Sequence, residues 1–214
     1  HNAILGGIQI IDGKDKEHTP EYLPEMLSEA LSVSFDQKVG HDYLLESKER
    51  FDYYNRKEER LELDLDFFNK ITRGGIPSKT LNICLAGTGV GKTMFMTHLA
   101  SSVLLQGKNV LYITMEMAEE RIAERVDANL LNVGMSDLEE LPYKMYETKI
   151  NKLQKKTTGQ LIVKEYPTAS ASVAHFKNLL SELAMKKSFK PDIVFIDYLN
   201  ICASSRFKAG ANVN

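Results

Sequence analysis

One stretch of the chain combines the residue types that hold phosphate groups: Ala86, Gly87, Thr88, Gly89, Val90, Gly91, Lys92 and Thr93. Glycines allow the backbone to curl so that its N–H groups point at an anion. Lys92 supplies a positive charge for the β- and γ-phosphates, and the Thr93 hydroxyl is suited to ligate Mg²⁺. The strict P-loop (Walker A) pattern has glycine at position 86, where this chain has Ala86. The motif predicts a nucleotide-phosphate site.

Two carboxylates follow apolar runs and are candidates for the same site. Asp197 ends the run Ile193–Ile196, which is the form of a Walker B segment and could hold Mg²⁺. Glu116 lies two residues after the run Val110–Thr114 and could be the general base for an attacking water. From spacing alone, Asp197 could instead cap a turn. Glu116 could equally open a helix that begins near Ala118, where the helix dipole favours negative charge.

The surrounding pattern alternates short apolar runs with helical periodicity, which is typical of an α/β fold with a mostly parallel sheet. The helix after the glycine-rich loop should run from Lys92 to Gln106 and stop at Gly107. Further helices are predicted over residues 118–131 and 142–155 and after a capping serine, Ser170 or Ser172. Strands are predicted at Leu81–Ala86, Val110–Thr114, Leu161–Val163 and Ile193–Asp197. In such a sheet the carboxyl ends of the strands face the ligand crevice.

The part before the glycine-rich loop is less informative. Residues 1–20 are a lead-in with weak strand character and no assignable role. A helix is predicted from Pro24 to about Phe35 because apolar residues recur there at helical spacing. Residues 46–64 carry charges of both signs, which favours a solvated face or connector over a binding patch. The predicted domains are therefore 1–20, 21–62 and 63–214, the last being a partial ATPase domain.

The composition sets broad limits. The 214 residues include 27 lysines and arginines and 29 aspartates and glutamates, so the net charge is −2. This balance excludes a globally basic nucleic-acid binder but not a local basic face. No apolar run reaches the roughly 18–20 residues of a membrane helix, so we expect no membrane partner and a cytoplasmic location. Cys84 and Cys202 are too few for a disulfide framework, and we expect both to be buried free thiols.

Three stretches together resemble the DnaB-like replicative helicases: Gly87–Thr93, Val110–Met117 and Ile193–Leu199. Two stretches, Met115–Glu120 and Arg125–Asn129, are especially similar to the T-even bacteriophage branch. The resemblance covers about residues 24–204. It implies a RecA-like P-loop core, preceded by a linker helix at Pro24–Phe35 that docks on a neighbouring subunit or, alternatively, packs on its own core.

The same resemblance implies site roles and partners. Lys92 and Thr93 would bind ATP and Mg²⁺, Asp197 would be the Walker B aspartate, and Glu116 would activate the attacking water. The parent protein would be an ATP-dependent DNA helicase of phage-infected or bacterial cytoplasm. It would form a homohexamer on single-stranded DNA, with primase and a helicase loader as partners.

Three functions remain open from the sequence. The first is the helicase motor, the second is a RecA/RadA-type recombination ATPase, and the third is a nucleotide-binding module that is inactive alone. Members of the family continue beyond the Walker B strand with a further strand, DNA-binding loops and an arginine finger. We find none of these elements between Asp197 and Asn214. Because such an arginine is worth about 10³–10⁵ in rate, we expect a C-terminally incomplete core and, for this chain alone, weak or no hydrolysis.

Overall fold

The computed structural model describes residues 2–14, 18, 20–23, 26, 40–56 and 59–204. The chain divides into two compact units, His1–Lys57 and Glu58–Asn214. The helix predicted from Pro24 to Phe35 lies outside the described residues except at Met26, so it stays a prediction. Within the described part of the chain, no helix is both long and apolar enough to cross a membrane.

The first unit contains two described helices, α1 (Asn2–Ile11) and α2 (Ser47–Asn55), and a short 3-10 turn at Pro20–Tyr22. The weak strand character predicted within residues 1–20 is wrong, because α1 occupies Asn2–Ile11. The apolar residues of α1 recur at the spacing of one helix face. A run of only a few residues is too short to reveal this spacing. None of the residues of α2 is buried, as expected for the solvated stretch that the charge pattern predicted.

The second unit opens with a small antiparallel pair, β1 (Arg60–Leu61) and β2 (Ile76–Pro77), which is separated by α3 (Asp66–Ile71). Its main sheet has three parallel strands in the order β4-β3-β5, namely β3 (Val110–Thr114), β4 (Leu161–Glu165) and β5 (Ile193–Asp197). The accompanying helices are α4 (Lys92–Leu105), α5 (Glu119–Leu131), α6 (Met135–Leu138), α7 (Tyr143–Lys156) and α8 (Val173–Lys187), and a 3-10 turn follows at Leu199–Ile201.

The central strand β3 is buried along its whole length and separates two apolar clusters. The side chains of Val110 and Tyr112 in this strand pack with residues of α4 and α5, among them Val103 and Ile122. Its odd-numbered side chains, Leu111 and Ile113, pack with Leu179 and Leu183 of α8 and the following Phe189. Because strand side chains alternate between faces, this arrangement requires helices on both sides of the sheet. The predicted α/β fold with a parallel sheet is confirmed.

Most predicted boundaries agree with the observed elements to within two residues. Helix α4 ends just before Gly107, which adopts a positive φ of 79° that suits a glycine after a helix. Ser172 precedes α8, and its backbone N–H donates to Nδ1 of His175 at 3.2 Å. Ser172, and not Ser170, is therefore the residue that caps this helix.

The strand predicted at Leu81–Ala86 is wrong in this structure. The segment has no regular secondary structure, and Leu81, Ile83 and Leu85 are 83%, 64% and 90% exposed. An apolar run favours an extended backbone, but a strand also needs a neighbour that satisfies its N–H and C=O groups. The ladder of β5 is formed with β3 and not with this segment. Cys84 lies in the segment and is also exposed, so the expectation of two buried thiols is wrong for this residue; Cys202 is half-buried.

Candidate functional site

The glycine-rich loop leads directly into the N-terminus of α4. Gly89 and Gly91 have φ angles of +74° and +103°, a region that side-chain-bearing residues rarely adopt. Gly91 immediately precedes the helix, so the loop turns the first N–H groups and the positive end of the helix dipole toward the same space. Nζ of Lys92 donates to the carbonyl oxygens of Ala86 and Gly87 at 3.1 and 3.2 Å. The ammonium group of Lys92 thus connects the first residue of α4 to the start of the glycine-rich loop.

Asp197 ends β5 and is the meeting point of two hydroxyl groups. Thr93 Oγ1 donates to Asp197 Oδ2 at 2.8 Å, and the Tyr112 hydroxyl donates to the same oxygen at 2.9 Å. Asp197 is only 2% exposed. The structure therefore brings together Thr93 and Asp197, two residues that the sequence analysis assigned to one site from distant parts of the chain.

Tyr112 was not among the candidate site residues. Its side chain is fully buried in β3 and stacks on Phe195, with ring centroids 5.8 Å apart and an interplanar angle of 20°. Burial raises the pKa of Tyr112, and the Asp197 charge and hydrogen bond raise it further, while the Arg125 charge acts weakly in the opposite sense. The phenol therefore stays protonated and acts as a donor. Its only signal in the sequence is a hydroxyl-bearing residue at the centre of the strand, with Val110, Leu111 and Ile113 as apolar neighbours.

Glu116 lies in the turn between β3 and α5, and this turn is held on both sides. Thr114 Oγ1 donates to the carbonyl oxygen of Met117 at 2.9 Å and accepts from its N–H at 3.1 Å. On the other side, the Met115 N–H donates to the carbonyl oxygen of Asp197 at 2.9 Å. Among the described residues, the exposed Glu116 carboxylate has no hydrogen-bond partner.

The position of Glu116 bears on the alternative that it opens a helix. Helix α5 begins at Glu119, and the acidic residues of its first turn are Glu119 and Glu120. Glu116 precedes that turn and lies beyond the carboxyl end of β3, where Thr114 is in register with Asp197. Glu116 is therefore an exposed carboxylate in the turn at this edge of the sheet and not part of the first helical turn.

The donor atoms at the sheet edge fit a divalent cation such as Mg²⁺, which prefers carboxylate, hydroxyl and water oxygens. The single proton of the Thr93 hydroxyl is directed to Asp197, so the lone pairs of its oxygen remain available. Both hydroxyl donors use Oδ2 of Asp197, and Oδ1 accepts neither of these bonds. Together with the loop and Lys92, the arrangement contains the types of donor and acceptor group that a nucleotide phosphate and its metal ion require.

These features define an α/β domain in which a glycine-rich loop and the aspartate that ends β5 meet at the carboxyl edge of the parallel sheet. Residues 61–213 match the family model of the DnaB-like helicase C-terminal domain, and the chain belongs to this family. The predicted resemblance to the DnaB-like helicases is therefore confirmed.

Two curated relatives are similar to the chain over different lengths. The DnaB-like replicative helicase of Enterobacteria phage T4 is 44% identical over 189 residues, which are 87% of this chain and 40% of the relative. The DNA repair protein RadA of Campylobacter jejuni is 30% identical over 146 residues, which are 63% of this chain and 30% of that protein. The chain thus spans less than half the length of these relatives.

Solved structures support the same fold. One is the structure of a DnaB-like replicative helicase, described with its interactions with primase. It superposes on this chain with a TM-score of 0.66 at 17% identity, and the match covers 99% of this chain and 49% of that one. The ATPase domain of G40P superposes with a TM-score of 0.57 at 16% identity and covers 79% and 59%. At these identities the likeness concerns the fold, and it confirms the predicted RecA-like architecture.

Proposed function

We propose that this chain is the ATP-binding part of a replicative DNA helicase, which couples ATP hydrolysis to translocation on single-stranded DNA and duplex unwinding. The observation that carries the proposal is the hydrogen bond between Thr93 and Asp197, because it joins the two segments that a P-loop motor needs for its metal ion. The 44% identity to the T4 helicase supports this choice of motor.

In this proposal each residue has a distinct role. The backbone N–H groups of residues 86–91 and the ammonium of Lys92 bind the β- and γ-phosphates of ATP. Thr93 and Asp197 would hold Mg²⁺, which would supply positive charge to the phosphate oxygens. Glu116 accepts the proton of the water that attacks the γ-phosphate.

The assembled protein is proposed by analogy with its relatives. We assign the helicase activity to a longer protein, because the chain spans 40% of the T4 helicase. That protein would form a homohexamer on single-stranded DNA in the cytoplasm of a bacterial or phage-infected cell. A primase is a proposed partner, since the structural neighbour was solved with its interactions with primase, and a helicase loader is a further one.

The RadA similarity favours one alternative function, a recombination or repair ATPase. The same P-loop and carboxylates would serve it, so the nucleotide site does not separate the two. The DNA reaction does: the longer protein should unwind a forked duplex and should not pair homologous strands. A nucleotide-binding module that is inactive alone would bind Mg-ATP but hydrolyse it only within the longer protein.

The nucleotide site is tested by the change Lys92→Ala. Because this removes the charge-assisted contacts to phosphate, we expect the affinity for a fluorescent ATP analogue to fall by roughly 100-fold or more. Lys108→Ala is the matched control, since Lys108 follows the opposite end of α4 and pairs with Glu59 at 3.1 Å on the surface. Equal affinity of the two variants would contradict the P-loop assignment. In the longer protein, Glu116→Gln should retain ATP binding and lose turnover.

A further inference from the structure

Tyr112 has a feature that packing alone does not require. Its ring fills the core beside Phe195, which a phenylalanine could do equally well. The hydroxyl is the additional group, and it is directed at Oδ2 of Asp197 at 2.9 Å. Burying a hydroxyl is unfavourable unless it finds a hydrogen-bond partner, so the strand retains a polar group at its centre only with this acceptor.

The two donors to Asp197 belong to different elements that pack together on one face of the sheet. Thr93 belongs to the first turn of α4, next to the exposed glycine-rich loop. Tyr112 belongs to the middle of β3, the central and fully buried strand. The Thr93 donor therefore lies next to the loop that is proposed to bind nucleotide, whereas the Tyr112 donor lies in the core.

An aspartate carboxylate needs such a fixed donor if it is to have one orientation. The terminal torsion of aspartate is broad and roughly two-fold, so packing alone orients it weakly. A donor from a rigid strand occupies Oδ2 whether or not a cation is present. This arrangement keeps the other oxygen, Oδ1, on the side away from the Tyr112 hydroxyl and reduces the ordering that cation binding must supply.

We propose that Tyr112 is a positioning residue that orients the Asp197 carboxylate for the divalent cation of the nucleotide site. This inference rests on the proposed nucleotide function. In this proposal Tyr112 touches neither nucleotide nor cation; its hydroxyl acts on the site through its hydrogen bond to Asp197 Oδ2. Its effect should therefore appear in the cation dependence of binding and not in the affinity for nucleotide alone.

The test compares Tyr112→Phe with the wild-type chain in two measurements with a fluorescent ATP analogue. In excess EDTA, nucleotide affinity should be unchanged, because the loop and Lys92 are intact. In a Mg²⁺ titration at fixed nucleotide, the half-saturating Mg²⁺ concentration should rise by roughly 10-fold, the lower end of the effect known for groups that orient metal ligands. A variant damaged in its fold would lose affinity in EDTA as well, so the pair of measurements separates positioning from stability.

The chain offers a matched control in a second tyrosine–aspartate hydrogen bond. Tyr146 of α7 donates to Asp127 Oδ2 of α5 at 3.0 Å, and neither residue belongs to the proposed site. Tyr146→Phe removes the same type of bond and should leave the Mg²⁺ midpoint unchanged.

The possible results separate the inference from the function on which it rests. An unchanged Mg²⁺ midpoint in Tyr112→Phe, with normal wild-type binding, would overturn the inference alone. An equal shift in both variants would also overturn it. A wild-type chain that binds no Mg-nucleotide would overturn the proposed function, and the inference with it.

Discussion

Two apolar runs lead into the candidate site, and the structure treats them differently. Ile193–Asp197 forms β5, pairs with β3, and buries Phe195 and Asp197 to 8% and 2% exposure. Leu81–Ala86 leads into the glycine-rich loop, yet Leu85 is 90% exposed and the run forms no ladder. Both runs have the length and composition of a strand. The comparison shows that strand composition alone does not bury a residue; pairing with a neighbouring backbone does.

The difference divides the site into two parts with different physical support. The carboxylate side, with Asp197 and the turn at Glu116, is held by β3 and its hydrogen bonds. The phosphate side depends on the local conformations of Gly89 and Gly91 and on the start of α4. We therefore expect core substitutions to affect the carboxylate side much more than substitutions in the exposed run.

The largest expected effect contrasts Phe195→Ala with Leu85→Ala. Removing the buried Phe195 ring should lower the free energy of unfolding by about 3–5 kcal/mol, because it leaves a cavity beside Tyr112. Removing the exposed Leu85 side chain should change it by about 0.5 kcal/mol or less. Urea unfolding of the two variants against wild type measures both values. A loss from Leu85→Ala as large as that from Phe195→Ala would show that the run is paired and buried in solution.

Each region also contains a cysteine that reports its exposure. Cys84 lies in the exposed run, whereas Cys202 follows β5 with its Sγ 3.6 Å from Sδ of Met115. Burial raises the pKa of the Cys202 thiol, so less of the reactive thiolate is present near pH 8. We expect iodoacetamide to modify Cys84 about 10-fold faster or more, as followed by peptide mass spectrometry. In urea the two rates should become similar, and similar rates in the native protein would contradict the comparison.

The sequence predicted the parts of the site that rest on motif or topology. The loop and Lys92 follow from residue types at fixed spacing. The meeting of Thr93 with Asp197 is expected from the edge of a parallel sheet, and it occurs although the run before the loop forms no strand. The Tyr112 contact could not be predicted, because an aromatic residue in an apolar strand looks like core until the register with β5 is known. Whether Leu81–Ala86 forms a strand depends on the backbone that lies beside it in the fold. The local sequence pattern contains no information about that neighbour.

The smallest expected effect concerns Thr114→Val, which tests whether the carboxylate side is fixed by hydrogen bonds beyond strand pairing. Valine keeps the shape of the fully buried Thr114 side chain but loses both bonds to the Met117 backbone. We expect a loss of about 1 kcal/mol in the free energy of unfolding. In the longer protein, ATP turnover should fall more than nucleotide affinity, because the turn that carries Glu116 loosens while the loop does not.

Thr97→Val is the control for this change. Thr97 is also buried, but within the described residues its hydroxyl bonds only to the Met94 carbonyl oxygen of α4, at 3.0 Å. Such a bond back to its own helix contributes little, so this variant should retain turnover. If the two variants lost turnover equally, the loss would reflect general destabilisation. If neither variant lost turnover, strand pairing alone would be sufficient to hold Glu116 at the sheet edge. The hydroxyl of Thr114 would then contribute only to packing.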